Sequence, residues 1–274
     1  MSPITAEIQA LKDAHRKTWA SGDYARIAEL VTEVGERLVE RDLHAGLARA
    51  LAAGGEQLGG EVRGNDLSAS AGGGDRGVAG TRGHVQYVRA RLHAGEWLTA
   101  DAEDLPFEDE RFDYVLSSLG VQFVPRHEVV SSELVRVCRT GGTIVLGNWA
   151  ADGYIGRFWT IMGPYLPPPP DYASPPAAWG RSEHVVQLFA DYPVDLTSER
   201  YALDFEADSA EVFIDTLADY YGPLLQARNK LTPTGRWEAL RDELIALSNE
   251  MNAAGDGHFR APSEYLVTLA RKPT

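Results

Sequence analysis

Two short loops of the sequence carry groups that could read an adenine ring. Asp101-Ala102 follows residues 97–100, which are predicted to be the end of a strand. A carboxylate at position 101 can accept a hydrogen bond from an exocyclic amine, while the adjacent backbone N–H donates to a ring nitrogen. In the second loop, residues 117–121, small side chains follow a strand and let a ligand approach the backbone. Doubly wound sheets bind their ligands at such carboxyl ends of strands.

Two histidines are candidates for acid–base chemistry. His127 and His184 stand near the start of predicted helices, and a neutral imidazole titrates near physiological pH. We take His127 as the candidate general base, although a histidine in such a position is more often a cap or a surface residue. Tyr220 and Tyr221 could bind a substrate hydroxyl or ring, or could simply be core residues. No cluster of His, Cys and Asp has the spacing of a metal site, and we expect no metal.

Other aromatic and sulfur-containing side chains have both a functional and a structural interpretation. Trp149, Trp159 and Trp179 could wall an apolar substrate pocket, yet burial in a core would explain them equally well. Cys138 lies on the inward face of a predicted helix, which favours an inert core residue over a nucleophile.

Strands and helices alternate in the middle of the chain. Residues 112–119 are predicted as a buried strand, 127–138 as a helix and 143–149 as a second strand, with a turn at Gly141-Gly142. This order predicts a parallel βαβ unit with a right-handed crossover. Apolar spacing predicts further helices at 5–20, 24–40, 153–163, 182–190, 209–221 and 235–253, and strands at 196–207 and 264–271.

These elements predict an α/β protein whose core is a Rossmann-like three-layer sheet of mainly parallel strands. We expect an N-terminal helix over residues 1–24 and the ligand-binding core over residues 25–150. Residues 151–274 are expected to form an α+β cap that contacts the substrate and returns the strand 264–271 to the sheet.

Charge and composition restrict the class of partner. The 274 residues carry a formal net charge of −14, and this field repels phosphate backbones, which disfavours nucleic acid and favours a small-molecule substrate. Hydrophobic residues make up 44% of the chain, enough for a sizeable core. One cysteine permits no internal disulfide, and no signal peptide or membrane-spanning stretch is visible. We therefore expect a soluble, cytoplasmic protein.

A family resemblance covers residues 1–45 loosely and 96–274 well. The string ADAEDLPFEDERFDYVLSSLGVQFVP, followed by ELVRVCRTGGTIVLGNW, resembles the middle of class I S-adenosylmethionine (SAM)-dependent methyltransferases. The branch that it resembles is methyltransferase type 11, which includes enzymes similar to those of ubiquinone and menaquinone biosynthesis. The resemblance implies SAM as cofactor, with Asp101 and Ala102 holding the adenine. It also implies that residues 117–121, with Ser118 and Leu119 among them, flank the methionine part.

The same family has an acidic residue and a glycine-rich turn, roughly V-L-D-x-x-x-G-x-G, after its first strand. This turn should fall near residues 49–58, where Gly54 and Gly55 could serve it but the acidic residue is absent. Asp75 stands about where the resemblance places the ribose-binding acid. No apolar strand leads into either position.

Residues 47–95 differ in character from the rest of the chain. Between positions 54 and 83 there are eleven glycines, and the pattern typical of the family stops and resumes abruptly. One interpretation is that this stretch is translated in a shifted reading frame. The other is a degenerate or remodelled cofactor loop.

The resemblance implies methyl transfer from SAM to a small acceptor, which we expect to be apolar or aromatic. Alignment of the reactants and exclusion of water would provide most of the rate increase. The alternative is a catalytically inactive methyltransferase-like protein that acts as a binding or structural protein. A dinucleotide oxidoreductase is disfavoured, because it needs its glycine motif directly after a strand and no strand leads into the glycine-rich stretch.

Overall fold

The computed structural model of the protein describes residues 3–38, 100–255 and 257–274. Within these residues, the chain forms eight α-helices and one four-stranded sheet, and none of the helices is long and apolar enough to span a membrane. The helices are α1 (Pro3–Ala20), α2 (Tyr24–Leu38), α3 (His127–Val137), α4 (Tyr154–Met162), α5 (Ser182–Phe189), α6 (Ala210–Tyr220), α7 (Gly222–Leu231) and α8 (Trp237–Glu250). The strands are β1 (Phe112–Ser118), β2 (Cys138–Trp149), β3 (Asp195–Ala207) and β4 (Phe259–Arg271).

The strands lie in the order β1-β2-β4-β3. β1 and β2 are parallel and are joined through α3, as the predicted βαβ unit requires. β4 pairs antiparallel with both β2 and β3. The predicted α/β class with a helix-flanked sheet is confirmed. In the described part of the sheet, however, parallel pairing is confined to β1 and β2, because β4 runs antiparallel to both of its neighbours, β2 and β3.

The centre of the sheet, in β2 and β4, is buried on both faces, whereas most residues of the edge strand β3 are exposed. Successive residues of β2 point to opposite sides, so that Ile144 and Leu146 join one apolar cluster while Val145 and Trp149 join the other. The first cluster packs β1 and β2 against α3 and α5. The second packs the sheet against α2, α4, α6 and α8. Helices therefore cover both faces of the sheet centre, which gives three layers and explains why the consecutive apolar residues Ile144, Val145 and Leu146 of β2 are all buried.

Gly141 and Gly142, which the sequence predicts as a turn before the second strand, lie inside β2. Phe112 pairs with Cys138, whereas Tyr114 pairs with Thr143, so β2 has extra residues in the register between them. Gly141 adopts a φ of +76° in this irregular segment. The predicted change of direction is thus a local bulge, which a glycine permits because it lacks a Cβ.

Most predicted helices agree with the structure to within a few residues, but α7 was not predicted. It begins with Gly222-Pro223, two residues that usually interrupt regular structure. Proline is nevertheless favoured in the first turn of a helix, where its missing N–H would have no partner within the helix. β4 also begins at Phe259, five residues before the predicted start, and passes through Pro262.

Two glycines allow the turn between α1 and α2 to pack closely on the turn between α6 and α7. A Cβ on Gly22 would lie 2.3 Å from the Tyr220 carbonyl oxygen, and a Cβ on Gly222 would lie 2.3 Å from the Thr18 carbonyl oxygen. The Asp23 N–H donates a hydrogen bond of 3.0 Å to the same Tyr220 oxygen. This contact fixes the end of α1 beside the start of α7.

Candidate active site

An apolar pocket of about 140 Å³ lies at the carboxyl ends of β1 and β2. It is enclosed by α1, α2, α4 and α6, and none of the described residues that line it carries a charge. Eight aromatic side chains contribute to the lining, among them Trp19, Phe123, Trp149, Trp159 and Tyr221. We call it the aromatic pocket. Its position matches the edge at which doubly wound sheets bind their ligands.

The end of β1 brings two predicted cofactor residues to the pocket. Ser118 and Leu119 both line it, whereas Ser117 points away and its Oγ accepts a hydrogen bond of 3.1 Å from the Val121 N–H. Leu119 has a φ of +59°, and its N–H donates to the Gly147 carbonyl at 2.8 Å. A left-handed conformation at a leucine costs on the order of 1 kcal/mol, and such strain is concentrated at functional sites.

The aromatic side chains of the pocket contact one another edge to face. The ring of Phe123 lies 4.5 Å from that of Trp19 and 5.5 Å from that of Trp159, measured between centroids. Trp19 also contacts Tyr221 at 5.7 Å. The Trp159 Nε1–H donates a hydrogen bond of 3.3 Å to the Tyr221 hydroxyl. These contacts hold the rings in fixed orientations around the cavity, since edge-to-face pairs have a preferred geometry.

Asp101 lies in a tight turn that Lys12 of α1 contacts. Its Oδ1 accepts the Glu103 N–H at 3.0 Å, and its Oδ2 contacts the Lys12 ammonium at 2.5 Å. The side chain keeps 39% of its surface exposed, and Ala102 beside it is half-buried. The predicted adenine-binding pair is therefore at the surface, with the acid facing a cation.

Glu103 is a residue of this loop that the sequence pattern does not distinguish from its acidic neighbours. Its carboxylate is only 1% exposed and accepts hydrogen bonds from Arg126 Nε at 2.9 Å, from Arg126 Nη2 at 2.6 Å and from the Arg126 backbone N–H at 2.9 Å. Lys12 contacts it as well. Glu103 therefore joins the loop to α1 and to the start of α3. In the sequence it is one of many acids, and only its three-dimensional partners distinguish it.

His127 lies away from the aromatic pocket. It is fully buried, its Nδ1 is 2.9 Å from His184 Nε2, and its ring packs against Trp179 at 5.3 Å in the cluster that contains α3 and α5. Burial, reinforced by the neighbouring His184, lowers the pKa of His127 to about 3. Burial also lowers the pKa of His184. His127 is thus neutral at physiological pH, and its role as a general base stays a prediction.

The remaining candidates divide between the pocket, the core and the undescribed part of the chain. Of the three tryptophans considered, Trp149 and Trp159 line the pocket while Trp179 lies in the α3 cluster. Cys138 is buried, and burial raises the pKa of its thiol to about 11. In the described residues no group of His, Cys, Asp and Glu could hold a metal ion. The predicted contacts at Gly54, Gly55 and Asp75 lie outside the described residues.

Comparison with known proteins identifies the family. The model of the methyltransferase domain family matches residues 42–146. The uncharacterized protein Rv1403c of Mycobacterium tuberculosis is 33% identical, over 98% of this chain and 97% of its own. The uncharacterized protein Rv1405c of the same organism is 36% identical, over 97% of both chains. Among solved structures, the YcgJ protein of Bacillus subtilis aligns with a TM-score of 0.44 and 12% identity over 70% of this chain and 77% of its own.

A helix-flanked sheet with its pocket at the carboxyl ends of the parallel strands is the arrangement in which α/β proteins bind their ligands. The chain carries a methyltransferase domain over residues 42–146, as the resemblance implies, and belongs to one family with these two mycobacterial proteins.

Proposed function

We propose that the protein transfers the methyl group of SAM to a small apolar or aromatic acceptor bound in the aromatic pocket. The observation that supports this most directly is the position of the pocket. It opens beside Ser118 and Leu119, the residues that the family resemblance assigns to the methionine part of the cofactor. The described residues of the lining carry no charge, and most of them are aromatic or aliphatic. Such a pocket favours an acceptor that is itself largely apolar.

The described residues fit the adenine end of SAM by the chemistry of their donors and acceptors. The Asp101 carboxylate can accept from the adenine amine, and the Ala102 N–H can donate to a ring nitrogen. Gly54, Gly55 and Asp75 remain proposed contacts for the rest of the cofactor. When bound, SAM supplies an electrophilic methyl group on its sulfonium. The contribution of the chain is to align the acceptor and to exclude water from the pocket, and the packed rings of Trp19, Phe123 and Trp159 suit both tasks.

Calorimetric titration with SAM tests this proposal. We expect the wild-type protein to bind SAM and Asp101→Ala to bind it at least tenfold more weakly, because a hydrogen bond to a charged group contributes about 1.5–3 kcal/mol. Asp113→Ala is a matched control, since Asp113 pairs with Arg139 near the opposite end of β1. Equal SAM affinity in Asp101→Ala and wild type would contradict the assignment of this loop.

The contact between Lys12 and Asp101 favours a second candidate, a methyltransferase-like protein that binds apolar molecules without catalysis. The ammonium contacts the carboxylate oxygen that an adenine amine would use. In this case the wild-type protein would give no heat with millimolar SAM, while the aromatic pocket would still bind an aromatic probe.

A further inference from the structure

Tyr221 brings a polar group into an otherwise apolar part of the molecule. Among the described residues that line the aromatic pocket, only Ser118 and Tyr221 have a side-chain hydroxyl. Ser118 is at the end of β1, where the cofactor is proposed to bind. Tyr221 follows α6 and faces the pocket from the side of the helices that come late in the chain. The Tyr221 hydroxyl is therefore placed to contact the acceptor and not the cofactor.

Hydrogen bonding leaves the Tyr221 proton available. The hydroxyl oxygen accepts from Trp159 Nε1 at 3.3 Å, and it has no other hydrogen-bond partner among the described residues. A phenol that accepts one hydrogen bond can still donate its own proton. Burial raises the pKa of Tyr221, against a smaller opposite effect of the Trp159 hydrogen bond. The hydroxyl accordingly stays protonated at neutral pH and acts as a donor.

Packing fixes where this donor points. The Tyr221 ring contacts Trp19 at 5.7 Å and Phe158 at 6.5 Å, both edge to face. Its backbone N–H donates to the Leu217 carbonyl at 2.8 Å, and the next residue, Gly222, packs directly on the end of α1. With the ring held on two sides and the backbone held at the junction of α6 and α7, the hydroxyl has little freedom to turn away from the cavity.

We propose that Tyr221 is a positioning residue for the methyl acceptor. Its O–H donates a hydrogen bond to an oxygen or nitrogen of a neutral, ring-containing acceptor, while Trp159 orients the hydroxyl. This inference rests on the proposed function, because it assumes that the aromatic pocket is the acceptor site. It specifies the acceptor class further: an aromatic or similarly apolar molecule with a carbonyl, hydroxyl or amine lone pair facing Tyr221.

A pair of probes with the same shape tests the hydrogen bond directly. Acetophenone and α-methylstyrene differ only in that a carbonyl oxygen replaces a methylene group. Their affinities are measured by calorimetry for wild type, Tyr221→Phe and Trp159→Phe. The control is Tyr220→Phe, since Tyr220 is adjacent in sequence but does not line the pocket, and Arg26 lies over its ring. The ratio of the two affinities reports the hydrogen bond and is insensitive to a general loosening of the pocket.

We expect Tyr221→Phe to reduce the preference for acetophenone about three- to tenfold, the range for one hydrogen bond, and to leave α-methylstyrene binding unchanged. Trp159→Phe should reduce the preference less, and Tyr220→Phe should not change it. An unchanged ratio in Tyr221→Phe overturns the proposal, as does failure of both probes to bind wild type. Tighter binding of the cation phenyltrimethylammonium than of acetophenone also overturns it.

SAM titration of the same proteins separates this inference from the proposed function. Tyr221→Phe should bind SAM as wild type does, because Tyr221 is assigned to the acceptor. If wild type binds no SAM but the ratio of probe affinities still depends on Tyr221, the proposed methyl transfer is refuted while the role of Tyr221 in ligand binding is retained. If wild type binds SAM and the ratio of probe affinities does not depend on Tyr221, only the proposed role of Tyr221 is refuted.

Discussion

His127 is a neutral, buried imidazole in the core formed by α3 and α5. Its pKa in the folded protein, about 3, lies below the unfolded value near 6.5. As the pH falls below about 6.5, the unfolded chain takes up a proton that the folded protein does not. The free energy of unfolding therefore decreases as the pH falls toward 3. His184 contacts His127 and lowers its pKa further. The pKa of His184 is in turn raised by Glu128 and lowered by Arg181.

We predict that this histidine lowers the free energy of unfolding by about 2 kcal/mol between pH 7 and pH 5. His127→Gln cannot take up the proton, so its stability should decrease less over the same interval. Urea unfolding of both proteins at the two pH values measures the difference, and the titration of all carboxylates cancels between them. Equal losses of stability in the two proteins would show that His127 is protonated in the folded state.

At the scale of single residues, the sequence locates some site residues and misses others for a physical reason. The sequence places Ser118 and Leu119 at the carboxyl end of β1, where both line the aromatic pocket, because the end of a buried strand is a local property of the chain; their contact with a cofactor stays a prediction. Tyr221 and Trp159 were only two of several aromatic candidates, since their hydrogen bond depends on how distant helices pack. Glu103 could not be identified from the sequence, because its burial and its ion pair with Arg126 depend on tertiary contacts. In the sequence it is one of several neighbouring acidic residues.

At the scale of elements, the contact between the two interhelical turns positions the aromatic pocket. We predict that Gly222→Ala lowers the free energy of unfolding by about 2 kcal/mol, since the added Cβ would lie 2.3 Å from the Thr18 carbonyl oxygen and must push α1 away. The same shift should weaken acetophenone binding, because Trp19 moves away from Tyr221. Urea unfolding and calorimetry measure both effects.

Gly163→Ala is the matched control for this change. Gly163 follows α4 as its C-cap residue, and a Cβ there would meet no atom within 4 Å. Its stability should equal or slightly exceed that of wild type, because alanine restricts the unfolded chain. If the two alanine variants lose the same free energy, the close contact at Gly222 does not support the pocket.

Most helices and strands of the described residues could be predicted because each has a regular apolar period. The exceptions follow from tertiary structure. A Gly-Pro pair begins α7, a glycine pair is absorbed into β2, and β4 extends through a proline. The antiparallel pairing of β4 with β2 and β3 could not be predicted from the sequence either, because strand order depends on how the whole chain packs.

At the scale of the whole molecule, the family match spans residues 42–146 and therefore includes the segment 47–95 that departs from the family pattern. We predict that the coding DNA of this segment, read in one of the two other frames, contains a string similar to V-L-D-x-x-x-G-x-G. Sequencing the coding region and translating it in all frames checks this. Absence of the string in both frames would leave a remodelled cofactor loop as the explanation.

The division into an N-terminal helix, a core and a cap stays a proposal, but the aromatic pocket already joins all three stretches. Trp19 comes from the first, Ser118 and Trp149 from the second, and Trp159 and Tyr221 from the third. Ligand binding should accordingly stabilise the chain as one unit, since a ligand held by several segments favours the state in which all of them are in place.

Half of the tryptophans of the chain line the aromatic pocket. The chain has six, and Trp19, Trp149 and Trp159 line the pocket, whereas Trp179 is enclosed in the opposite cluster. Indole emission depends on the polarity of its surroundings and on nearby quenchers. Displacement of water by a ligand should therefore change the intrinsic fluorescence of the protein without any label. The protein thus carries its own optical indicator for screening a library of candidate acceptors.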